Sequence, residues 1–204
     1  MSAVLPKRAR KRPKMWLDKD QGVPETCREL FDALPELPGF RAEVIEESVV
    51  LTPVGTPEHA DCAMELSYLL APVIRERGWK GYTGNIDVCL DGSREPVEPD
   101  YVLAPSDCPR WEERELRSSG LIMVAEVVSK GSIVRDRTEK PRLYAAAGVP
   151  IYLLIDIVAT PQTVTVHSAI DDDAYIAIAT VPIGSTVRLP DPVNLELDTS
   201  IFKG

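Results

Sequence analysis

The chain has 204 residues, 44% of them apolar and 27% charged, with a formal net charge of −9. That length suits one domain with its own core, and the composition excludes wholesale disorder. No apolar run approaches the ~18 residues that span a bilayer, and the cysteines (Cys27, Cys62, Cys89, Cys108) form no CxxC pair, which excludes a zinc knuckle or redox dithiol.

Lys7, Arg8, Arg10, Lys11, Arg12 and Lys14 crowd the start of the chain with no acid among them, so the remainder is more acidic than the net charge suggests. Residues 1–15 read as a solvated, disordered basic tail; the alternative is an arm that contacts phosphates through counterion release. No apolar stretch follows these cations, so no secretory signal is expected and the chain is expected in the cytoplasm, away from the membrane.

Residues 16–204 read as a single domain. Thr26–Leu34 has the spacing of a short helix, with Cys27, Leu30, Phe31 and Leu34 on one side. Phe40–Pro53 carries two β-branched clusters around Glu46-Glu47-Ser48, the pattern of a hairpin. From His59 to Arg77, Cys62, Leu66, Leu69, Leu70 and Val73 make one apolar helical face. Pro72 predicts a kink or an early stop there, and Gly78 closes the segment. Tyr82–Leu90 reads as a strand, and Asp91-Gly92 as a turn.

Glu98–Ala104 reads as a strand with Asp100 near its start, and Pro105–Gly120 as a loop with a helical turn around Glu112–Arg117. Leu121–Val128 is almost continuously apolar, which suits a central strand buried on both faces. After a loop at Ser129–Val134, a helix runs to Gly148; Thr138 as N-cap would put Pro141 in the first turn, where proline is tolerated. Ile151–Ile155 is a second buried strand, ended by Asp156. Val164–His167 and Tyr175–Thr180 form a closing hairpin through Asp171-Asp172-Asp173.

Glu126 interrupts the most apolar strand. A carboxylate there is expensive unless it is paired or ligates a metal. Asp100 and Glu126 on neighbouring strands would repel each other, and a divalent cation relieves that repulsion. Magnesium takes one or two protein carboxylates and leaves room for water and phosphate. A lysine nearby, Lys140 at the next helix, would orient the water and offset phosphate charge. These are the parts for phosphodiester hydrolysis. The bland alternatives are that Asp100 caps a turn, that Glu126 pairs with Arg137 or Arg142, and that Lys140 is solvated beside Glu139.

The stretch from Phe40 to Phe202 resembles the Uma-two restriction endonuclease family, within the PD-(D/E)xK nuclease superfamily. The resemblance rests on VIEESVVLTP (44–53) followed by His59, EPDYVLAP (98–105), VAEVVS (124–129) and RDRTEKPRLYAAAGVPIYLLID (135–156). It implies an α/β (α+β) fold: a restriction-endonuclease-like mixed central sheet flanked by helices, with added N-terminal and C-terminal hairpins. It also implies Mg²⁺, with Mn²⁺ as substitute, held by Asp100, Glu126 and the carbonyl of Val127, and a substrate of nucleic acid, DNA before RNA. The superfamily motif wants lysine at the position of Val128; the resemblance supplies Lys140 instead, with Lys130 as its rival.

Other residues carry weaker signals. Glu65 and Asp87 are candidate neighbours of the site or plain surface acids, Asp156 a strand-end cap, and Ser129 a loop-shaping or plain turn serine. His59 and Cys62 share a helix face and read as a packed pair, and His167 has no visible partner. Trp16, Trp79 and Trp111 fall at element ends, where they would close core edges or a dimer interface sooner than stack on bases. An acidic body demands local positive charge, from the tail or from Arg135, Arg137 and Arg142 around the cleft. Against the nuclease stand a non-catalytic module that keeps the fold to bind nucleic acid or protein, and, more weakly, a thiol hydrolase using Cys62 and His59. A homodimer would suit cleavage of both strands of a duplex.

Overall fold

The computed structural model describes residues 24–203. The basic tail and Trp16 lie outside the described residues. Thr26 caps α1 (Cys27–Asp32) through a capping box with Glu29. The expected hairpin follows as β1 (Phe40–Ile45) and β2 (Ser48–Pro53), whose turn residues Glu46 and Glu47 take the positive φ of a tight reversal. Then comes α2 (Pro57–Arg77), which ends at the left-handed Gly78. The helix does not stop at Pro72. That residue is exposed, so the carbonyl it frees faces water.

The strand expected over 82–90 is divided. β3 (Trp79–Thr83) joins the central sheet, Gly84 and Asn85 at φ 59 and 52 turn the chain, and β4 (Val88–Cys89) belongs to another sheet. β5 (Pro96–Val97) and β6 (Tyr101–Pro105) follow. No helical turn forms at 112–117. Instead β7 (Arg110–Trp111) and β8 (Glu115–Arg117) pair about Glu112, whose φ of 53 reverses the chain.

β9 (Met123–Val127) is buried throughout, as its apolar run demands. The following helix is wound differently from the expectation. Residues Arg135–Glu139 form a π-type turn, closed by the bond from Lys140 N–H to Arg135 O, before α3 (Lys140–Ala146). Thr138 is therefore inside the helical segment and not its N-cap. The wider turn accommodates Pro141, which lacks an N–H and would crowd the preceding turn of a regular helix. β10 (Ile151–Asp156) follows, then the expected hairpin of β11 (Thr163–Asp171) and β12 (Ala174–Pro182). A further hairpin, β13 (Thr186–Leu189) and β14 (Leu195–Asp198), comes next, followed by a 3-10 helix at Thr199–Phe202.

The central sheet has six strands in the order β12-β11-β10-β9-β6-β3, with β9 and β10 parallel and the other pairs antiparallel. Side chains alternate across it. Tyr101, Leu103, Met123 and Leu153 face α2 and the final hairpin, together with Leu66, Leu70 and Leu197. Val102, Val124 and Tyr152 face α3 and a second, four-stranded sheet of order β5-β4-β8-β7, with Val88 and Tyr144. Among the described residues no helix is long and apolar enough to cross a membrane.

Candidate functional site

Strand register explains how two acids 26 positions apart meet. β6 and β9 pair antiparallel, with Tyr101 opposite Ala125 and Val102 opposite Val124. Continued by one residue, that register sets Asp100 opposite Glu126, and such cross-strand neighbours have Cβ atoms about 4.5–5.5 Å apart. By alternation both lie on the α3 face of the sheet. Both are buried, and both line one cavity of about 930 Å³ between α2, the β1–β2 hairpin and the 129–136 loop.

Each carboxylate has its own set of donors. Asp100 Oδ1 accepts from Arg41 Nη1 at 2.7 Å. Its Oδ2 accepts from Val127 N at 2.8 Å and lies 3.0 Å from His59 Nε2. Burial alone would raise this carboxyl, but the His59 hydrogen bond and the charges of Arg41 and Lys140 hold it well below the usual range. Glu126 Oε1 accepts from Lys140 Nζ at 2.8 Å and from Tyr144 OH at 2.7 Å. Burial drives Glu126 well up; Lys140 opposes this, and Asp100, Asp136 and Glu43 add to it.

Lys140 is central to this balance. Its ammonium also lies 2.9 Å from Glu43 Oε1 and 4.0 Å from Asp136 Oδ1. Burial would discharge it, but four surrounding carboxylates keep it protonated. The π-type turn contributes here, since Asp136 and Lys140 both point inward from it, and burial raises Asp136 in turn.

Several sequence expectations are corrected by these contacts. His59 is not simply packed beside Cys62; it reaches across to Asp100 from the first turn of α2. Glu126 pairs with neither arginine proposed for it: Arg137 pairs with Asp156 and Arg142 with Glu46. Of the three arginines placed around the cleft, only Arg135 lines it. Lys140 lies behind the carboxylates and Lys130 at the exposed rim. Glu65 lines the cavity; Asp87 does not, and is half-buried near Glu115.

Other candidates sit as local chemistry suggests. Asp156 caps the turn after β10, accepting from the amides of Val158 and Ala159. Ser129 bonds Ser132 within the loop that borders the cavity. His167 packs between the rings of Tyr152 and Tyr175. Trp79 and Trp111 are half-buried at strand ends beneath Arg77 and Arg94. Cys62 is buried, and burial pushes its thiol up to about 11, which suits packing and not nucleophilic attack.

Sequence reasoning missed Arg41, Glu43 and Asp136. A signal existed for the first two. Arg41, Glu43 and Ile45 alternate onto one face of β1, and Ile45 is core, so charged residues occupy an inward-facing row.

The donor set suits a hard divalent cation. Four carboxyl groups, Glu43, Asp100, Glu126 and Asp136, face only two cations, Arg41 and Lys140. Among the described residues no group of three or more His, Cys, Asp or Glu is arranged to hold a metal by itself. The pair Asp100 and Glu126 is nevertheless the number of carboxylates that magnesium commonly takes, with water completing its shell.

Comparison with known proteins gives a family and a solved structure that the chain resembles. The model of the family Uma2, described as “Putative restriction endonuclease”, matches residues 28–200. The crystal structure of a protein described as “a putative nuclease belonging to DUF820”, from Anabaena variabilis ATCC 29413, aligns with a TM-score of 0.67 and 20% identity, over 88% of this chain and 97% of that one. At that identity the likeness concerns the fold, and it agrees with a restriction-endonuclease-like arrangement of mixed sheet and flanking helices. No curated protein matches the chain.

Proposed function

Because the chain belongs to the Uma2 restriction endonuclease family, we propose that it is a metal-dependent endonuclease that hydrolyses phosphodiester bonds in nucleic acid, DNA before RNA. The observation that carries this reading is the opening of Asp100 and Glu126 into one cavity, with Lys140 bonded to Glu126 at 2.8 Å. Asp100, Glu126 and the peptide carbonyl of Val127 would hold Mg²⁺ or Mn²⁺. The ion, when bound, supplies Lewis acidity and an activated water.

The chain's own residues do the rest. Arg41 and His59 fix the Asp100 carboxylate in one orientation, and the Val127 amide holds its second oxygen. Tyr144 and Lys140 fix Glu126. Four carboxylates keep Lys140 protonated, so from behind them its part is to hold Glu126 and supply positive charge to the site, not to accept a proton. Burial of Asp100, Glu126 and Lys140 strengthens each of these interactions.

Nicking of plasmid DNA in Mg²⁺ or Mn²⁺ tests the proposal, with Glu126→Ala beside the wild type. Cleavage by the wild type and none by the variant is expected. Cleavage surviving in Glu126→Ala would place the centre elsewhere. Running Lys140→Ala and Lys130→Ala in the same assay separates the two amines, and loss is expected with the first.

One observation favours a second reading. Asp100 and Glu126 already have protein donors on three of their oxygens, so the network is largely self-satisfied without an ion. A non-catalytic module that keeps this fold to bind nucleic acid or protein would look the same. Calorimetric titration with Mn²⁺ decides between them, since the module would take up no ion at this site.

A further inference from the structure

Two arginines line the cavity, and they differ in one respect. Arg41 is paired with Asp100, whereas Arg135 has no carboxylate partner among the described residues, although Glu43, Asp136 and Glu126 line the same space. Arg135 is half-buried, its Nη2 donates to Thr52 Oγ1 at 3.1 Å, and its Nε is enclosed without any acceptor. A buried donor left unsatisfied carries a standing cost, which a small turn of the guanidinium toward an anion in the cavity would relieve.

Neighbouring structure fixes where that anion would sit. Thr52 is the cross-strand partner of Arg41 in the β1–β2 hairpin. One face of one strand pair therefore carries both the arginine that holds Asp100 and the threonine that holds Arg135. Arg135 accordingly stands beside the carboxylate cluster, not within it. Exposed Lys130, from the same segment as Arg135, also lines the cavity, while α2 lines it with Glu58, Asp61 and Glu65. A polyanion entering this cleft is drawn to the Arg135 side and repelled from the α2 side.

From this we infer that Arg135, oriented by Thr52, is a phosphate-binding subsite that grips a backbone phosphate flanking the one cleaved. The guanidinium fork matches two phosphate oxygens at once, which a lysine in its place would not. The inference rests on the nuclease reading and adds the side of the cleft along which the backbone runs.

Fluorescence anisotropy with a short labelled DNA duplex, in EDTA so that no cleavage occurs, tests it. Arg135→Gln is expected to weaken binding about 10-fold or more, as loss of a charge-assisted bond does, and to flatten the slope of log K against log salt by about 0.9. Arg135→Lys should restore the slope but only part of the affinity. Thr52→Val should cost a few-fold with the slope intact, which keeps the test open if Arg135→Gln proves unstable. Arg188→Gln, the same charge change on the final hairpin, should bind as the wild type does. Wild-type binding and slope in Arg135→Gln, or in Thr52→Val and Arg135→Lys together, would overturn the subsite while metal-dependent nicking still upheld the nuclease. Wild-type protein that bound no duplex would overturn the subsite as well, and absent nicking would overturn the nuclease.

Discussion

Lys140 Nζ stands 2.8 Å from Glu126 Oε1, with both groups buried. The same ammonium reaches Glu43 on β1, so it joins the N-terminal hairpin to the central sheet. Lys140→Met would leave two buried acids without their cation, and removing one partner of such a pair costs about 3–5 kcal/mol. Urea unfolding should show that loss, and adding Glu43→Gln should recover part of it. A variant as stable as the wild type would mean the bridge is not formed in solution.

Glu43 lines the cavity, and its ion pair is with Lys140. Glu43→Gln keeps the side chain's shape and its acceptor for the amide of Glu98, but drops one charge that holds the ammonium in place. Removal of a supporting partner of this kind commonly lowers activity by about 10–100-fold. The nicking rate measures it, and a rate equal to that of the wild type would remove Glu43 from the positioning role.

His59 owes its reach to Gly55. A Cβ added at Gly55 would lie 2.6 Å from His59 Nδ1, so the ring would have to move off Asp100. Gly55→Ala should destabilise the protein by about 1–3 kcal/mol, the usual cost of overpacking, and should shift the His59 ring resonances in NMR spectra. Unchanged resonances would show that the ring has slack the structure does not suggest.

His167 gives a pH dependence of definite sign. Burial between two tyrosine rings lowers it from the usual 6.5, so the unfolded chain takes up this proton more readily than the native state. Its contribution to stability is therefore complete above pH 6.5 and is lost as the pH falls below that value toward the native pKa. His167→Phe keeps a ring between Tyr152 and Tyr175 without the titration. The difference in melting temperature between the two proteins should change with pH in that acid window and be flat above it. Parallel profiles throughout would count against the argument.

The fold was legible wherever local pattern and burial agree. The β1–β2 hairpin, β9, β10 and the closing hairpin all announce themselves by β-branched runs between turn residues. Reading failed where one backbone angle breaks a favourable run, as Gly84 and Asn85 break the segment from Tyr82 to Leu90. It failed again at Pro141, because a wider helical turn is an answer that local rules for proline do not anticipate. Of the candidate site, the sequence puts forward Asp100, Glu126 and Lys140, which the fold brings together, Glu126 because an acid in a buried strand is anomalous on its face. It misses Asp136, and it misses Arg41 and Glu43 although their alternation with Ile45 on β1 marks an inward-facing charged row; His59 it reads as packing against Cys62.

What the amino-acid order determined alone was the first hairpin, the long helix, the two buried strands and the one acid that violates its surroundings, Glu126. Hydrophobic periodicity is a local property, and so is its interruption. Tertiary structure decided which cation answers which acid. Arg137 and Arg142 lie close to Lys140 along the chain, yet only the lysine faces the sheet from the π-type turn. Pairing among buried charges depends on direction and distance across three elements, and those arise only once the sheet, the hairpin and the helix have packed against one another.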